Sequence, residues 1–93
     1  MVPEALRLRY LQSFPGKIDA LQAVSATLTA EGAEARRQLR DLTHKLAGSA
    51  GMYGFDDLGL QARAVVHAID ATAADAEIQE LLERLLKGLR SAG

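Results

Sequence analysis

The sequence predicts an all-α fold: an up-down antiparallel four-helix bundle with a short additional N-terminal helix. Three observations lead there. The only prolines are Pro3 and Pro15, so the rest of the chain is free of the residue that most often breaks a helix. That remainder is rich in Ala, Leu, Arg, Gln and Glu, all good helix formers. Apolar residues recur at helical spacing, and no segment alternates apolar and polar positions with β-branched residues as a strand would.

Each element has its own signals. The first helix spans about Pro3 to Gln12, and Pro3 suits a first turn. Ser13 stands at an N-cap position, with Pro15 in the first turn of a second helix that reaches about Thr29. Its apolar stripe is Phe14, Ile18, Leu21 and Leu28, with Ser25 completing the face. Gly32 breaks the pattern. A third helix, from about Ala33 to Met52, carries Leu39, Leu42, Leu46, Ala50 and Tyr53 at helical spacing. Gly54 is a C-terminal stop, and Asp56 or Asp57 opens the fourth helix. That helix runs to about Ala71 on Phe55, Leu58, Ala62, Val65 or Val66, and Ile69. Thr72-Ala-Ala-Asp75 has the form of a capping box and opens the last helix. Ile78, Leu81, Leu82, Leu85 and Leu89 form its buried stripe, and Ser91-Ala-Gly93 is expected to fray. Short connections imply antiparallel neighbours.

Bulk properties narrow the function. Ninety-three residues fit one domain, 1–93. Hydrophobic residues make up 48% and aromatics 4%, so the core must be mainly aliphatic. A net charge of −1, from 11 basic and 12 acidic residues, argues against a nucleic-acid partner. Cysteine is absent, which removes disulfides and thiolate metal sites. The longest apolar stretches fall short of the roughly 20 residues a spanning helix needs. No charged segment followed by an apolar one opens the chain. The expectation is a cytoplasmic, monomeric domain without a membrane partner.

One residue on the third helix stands out. Around the helical wheel, Leu39, Leu42, Leu46 and Ala50 gather within a sector of roughly 80°, and His44 lies roughly 160° from its centre. His44 therefore faces solvent. Gly48 and Gly51, four and seven residues on, share its stripe, and Arg37 and Arg40 precede it. A glycine inside a helix costs about 1 kcal/mol relative to alanine. An exposed face offers no packing reason for two of them, but glycine lets another molecule approach the helix closely. Neutral imidazole is a competent nucleophile near pH 7. Geometry alone leaves two readings open: a docking patch with a nucleophile at its edge, or a merely solvated histidine with Gly48 near a kink and Gly51 at an early helix end.

The run His44-Lys-Leu-Ala-Gly48-Ser49-Ala-Gly51-Met-Tyr-Gly54-Phe-Asp-Asp-Leu58 resembles the signature of histidine-containing phosphotransfer (HPt) domains. That pattern has a histidine, a glycine four residues on, a small residue next, and a glycine ten residues on, followed by a leucine. His44, Gly48, Ser49, Gly54 and Leu58 supply all of these, and Gly51 matches a further small position. Two positions depart. The family often has a lysine three residues after the histidine, where this chain has Ala47, with Lys45 directly after His44. It also often has Glu or Gln 22 residues after the histidine, where this chain has Val66. An antiparallel hairpin turning near Gly54 sets residues about His67 level with His44, so His67 or Gln61 is a candidate imidazole partner.

The resemblance implies a phosphocarrier, not an autonomous enzyme. His44 would accept a phosphoryl group from a receiver-domain aspartate or a histidine kinase and pass it to a response regulator. Lys45 would offset phosphate charge, and Gly48, Ser49, Gly51, Arg37 and Arg40 would form the receiver-docking surface. Leu60 and Arg63, outward on the fourth helix, are further docking candidates. No cofactor is expected in this domain; Mg²⁺ would sit on the partner receiver. The partners would be a response-regulator receiver and a histidine or hybrid kinase. Two alternatives share the fold: the phosphoacceptor domain of a chemotaxis-type kinase, and a non-catalytic adaptor bundle that binds receivers without transfer. A metal enzyme is a third, with a poor ligand set in two histidines.

Overall fold

A computed structural model describes residues 2–92, and every regular element among them is helical. The elements are α1 (Glu4–Gln12), α2 (Phe14–Ala50), a short 3-10 turn (Gly51–Tyr53), α3 (Asp56–Asp70) and α4 (Asp75–Ala92). Ser91 and Ala92, expected to fray, belong to α4, while Gly93 lies outside the described residues.

The expected second and third helices form one helical run, α2, bent at Gly32. A straight helix of 37 residues would span about 55 Å. The whole molecule measures only 41 × 22 × 19 Å. Gly32 resolves this with φ 45° and ψ −108°, a backbone state open to glycine, and helical turns resume on both sides. The two arms, 14–31 and 33–50, fold back on each other, so Lys17 and Leu21 of the first line a groove with Leu42, Lys45, Leu46 and Ser49 of the second.

Two cap expectations change. Ser13 adopts a helical backbone and makes no cap hydrogen bond; its hydroxyl donates to the Tyr10 carbonyl at 2.5 Å and accepts from Lys17 Nζ at 2.7 Å. The capping box at Thr72 does not form. Thr72 sits at φ 58°, with its N–H bonded to Ile69 O and the Ala73 N–H to Ala68 O, which closes α3 rather than opening α4. Gly54 plays the same part at the end of α2. It has φ 85°, and the Phe55 N–H reaches back to Ala50 O at 2.9 Å. The α-helix stops at Ala50 rather than Met52, which places Gly51 in the 3-10 turn.

The core joins the inner faces of α2, α3 and α4. Phe14, Leu21, Leu28, Leu39, Leu46, Leu58, Ala62, Val65, Ile78, Leu82, Leu85 and Leu89 are buried there, and Val24, Ala35 and Leu86 add to the expected stripes. Ile18, Leu42, Ile69 and Leu81 are only half-buried at its margin. Among the described residues Thr43 is the one buried polar residue, and its hydroxyl donates to Leu39 O at 2.8 Å within its own helix. All four aromatic residues meet at one end. Tyr10 stacks on Tyr53 at 4.3 Å, and Phe14 packs edge-on to Phe55 at 5.3 Å. Elsewhere polar ties fix helix positions: Ser25 and Gln79 exchange two hydrogen bonds, and Arg36 bonds both Ala73 O and Asp75.

Candidate functional site

The second arm of α2 presents two faces. Ala35, Leu39, Thr43, Leu46 and Ala50 are buried. On the opposite side His44 and Gly48 are exposed, as the helical repeat requires, and Gly51, exposed as well, follows in the 3-10 turn. α3 lies alongside. Gly59 is buried in this contact, where a Cβ would rest in ordinary van der Waals contact 3.6 Å from Ala47 O and 3.7 Å from Gly51 N. Between the two helices runs a cleft of about 290 Å³, lined by Arg40, His44, Ala47, Gly48, Arg63, Val66, His67 and Asp70.

The strongest polar contact in this cleft joins Arg40 to Asp70. Arg40 Nε donates to Oδ1 at 2.6 Å and its second terminal nitrogen to Oδ2 at 3.0 Å, a two-pronged pair. The Arg40 hydrogen bond does most to lower the Asp70 pKa; desolvation opposes it, and the charges of Arg40, His67 and His44 each add a lesser lowering effect. Arg40 is correspondingly raised by Asp70. The hydrogen bonds found among the described residues include none to either imidazole. Gly48 leaves the approach to His44 open: nothing lies within 4 Å of where its Cβ would be.

The structure brings some of the other candidates here and sends others away. His67 reaches the cleft, as does Arg63. Ala47 and Val66 also line it, and neither offers a donor or a charge. Lys45 pairs with Asp41 at 3.1 Å and lines the separate groove between the two arms of α2. Ser49 faces that groove too, bonded to Tyr10. Arg37 pairs with Glu34 on the solvent side. Gln61 turns toward α4, where its Oε1 lies 2.7 Å from the position a Cβ would take on Gly88. It lines hollows on the α4 side rather than the cleft that holds His44, so it is not placed to partner the imidazole. Leu60 is 62% exposed beside Ala64 and Leu81.

The residue that sequence reasoning passed over is Asp70. Its signal was faint: it stands one turn after His67, on the same face of α3.

Among the described residues no group of three or more metal-binding side chains occurs, and no helix is long and apolar enough to cross a membrane. The sequence matches the Hpt domain family across residues 5–92. No curated protein and no solved structure shows a significant match to the chain.

Proposed function

The chain belongs to the Hpt domain family, the histidine phosphotransfer modules of two-component signalling, and from that premise we propose that it is a phosphorelay intermediate with His44 as its phosphoacceptor. We take the two arms of α2, with α3 and α4, as the four helices of an up-down bundle to which α1 is added. The donor is an aspartyl phosphate on a receiver domain or a histidine kinase, and the acceptor is a response regulator.

In the transfer, the unprotonated ring nitrogen of His44 attacks phosphorus in line. The N–P bond forms as the P–O bond to the receiver's aspartate breaks, and the aspartate leaves as a carboxylate. The reverse sequence delivers the group onward. Such transfers depend chiefly on positioning and on neutralising charge. This domain brings the nucleophile and an accessible surface.

The observation that carries the proposal is the exposed imidazole at the mouth of a cleft, beside a glycine whose Cβ position is open, inside a matched family domain. A receiver-binding adaptor without transfer is the second reading, favoured by the inert Ala47 and Val66 in the same cleft.

Incubation with a panel of phosphorylated receivers separates the two. Transfer leaves an acid-labile, base-stable phosphate on the chain, absent from His44→Gln with helicity intact. Binding without any label supports the adaptor.

A further inference from the structure

We propose that the Arg40–Asp70 pair sets how strongly His44 holds a phosphoryl group, because Asp70 engages in the resting domain the cation that the phosphoryl group needs. This rests on the reading of His44 as the phosphoacceptor.

Arg40 stands one turn before His44 on α2, and both line the same cleft. Asp70 reaches into it from α3 and takes two guanidinium donors. A phosphoryl group on His44 brings roughly two negative charges. It meets Arg40 already neutralised and Asp70 as a like charge. The other basic groups of the cleft are Arg63 and His67. Lys45 is held by Asp41 at the edge of the other groove. Both members of the Arg40–Asp70 pair remain accessible, with side chains 43% and 49% exposed, so the guanidinium has room to turn toward a new anion. Asp70 thus keeps phosphohistidine from becoming a sink and favours its onward transfer.

The pair also ties α2 to α3, and the test must separate charge from architecture. A structural tie predicts that losing either partner moves phosphorylation the same way. The charge argument predicts opposite directions. Asp70→Asn removes a like charge and releases Arg40, so it favours phosphohistidine. Arg40→Gln removes the cation and leaves Asp70 facing the phosphoryl group, so it disfavours phosphohistidine.

The full chain is incubated with excess phosphoramidate, a small donor whose ammonia leaves as the His44 N–P bond forms, and phosphohistidine is followed by ³¹P NMR. This avoids any effect of the variants on receiver docking. Relative to wild type, Asp70→Asn is expected to raise the phosphohistidine-to-histidine ratio by about three- to tenfold, the scale of a solvent-screened charge at this range. Arg40→Gln lowers it by a similar factor, the double variant returns near wild type, and Arg40→Lys recovers part of the loss. Thermal unfolding of each variant checks the fold. Shifts of both single variants in one direction, or by less than twofold, overturn the proposal while leaving His44 as acceptor. A wild-type chain that labels no better than His44→Gln overturns both.

Discussion

The hydroxyl of Tyr10 lies 2.6 Å from Oγ of Ser49, joining α1 to a residue 39 positions further along the chain. Ser49 follows the open Gly48, so the first helix clamps the segment that carries the candidate site. Tyr10 adds stacking on Tyr53 and a cation contact from Lys17 at 4.9 Å. One half-buried hydrogen bond contributes about 1 kcal/mol. Tyr10→Phe and Ser49→Ala should each lower unfolding stability by about that amount in urea, and the double variant should lose less than the sum.

The same tyrosine makes stability depend on pH in the alkaline range. Burial raises its pKa most, the charge of Tyr53 adds to this, and the Ser49 bond opposes it. Because the folded value is raised, the folded state keeps the proton more tightly than the unfolded chain. The contribution is fully present below the ordinary tyrosine value of about 10 and is lost as pH climbs through the folded one. Thermal unfolding between pH 9 and 12 should show a steeper decline for wild type than for Tyr10→Phe.

Gly48 should trade stability against access. Nothing in the chain occupies the space its Cβ would fill, so Gly48→Ala is expected to stabilise the helix by about 1 kcal/mol. A bulky side chain there obstructs an approaching receiver. Gly48→Leu should slow phosphoryl transfer from a receiver on the order of tenfold, yet leave labelling by phosphoramidate nearly unchanged. Equal loss with both donors would point to damage at His44 itself.

Thr72 offers a gain in stability. It occupies the left-handed position that closes α3, at φ 58°, where a β-branched side chain is strained. Thr72→Gly keeps the closing hydrogen bonds and removes the strain. Stability should rise by about 1 kcal/mol, measured by chemical denaturation. Had Thr72 acted as a helix cap, the same change would lower stability instead.

Much of the helical layout and the exposure of His44 were legible without coordinates. The stripe Leu39, Leu46 and Ala50 is buried as its spacing demands, and Gly54 ends its helical segment in the left-handed state. These are local matters. A residue's neighbours three and four positions away decide which face it shares, and a glycine's lack of Cβ decides where a helix can stop. Sequence expectation and structure differ where two local signals compete. Thr72 carries the residue type of a cap but sits where α3 must close, and Ser13 bonds back to α1 instead of forward to α2.

By itself, then, the sequence determined the helical fold class, the inward stripes and an imidazole on the outward face, because all three follow from the helical repeat. Only the tertiary structure decided which charges stand beside that imidazole. Neighbouring residues on a helix point roughly 100° apart. Lys45, adjacent to His44 in sequence, therefore lines a different groove, while Asp70, 26 positions away, meets Arg40 across the cleft. Which helix covers which face depends on how the chain reverses at Gly32 and Gly54 and on how the buried faces of α2, α3 and α4 pack together, and no local spacing encodes that sum.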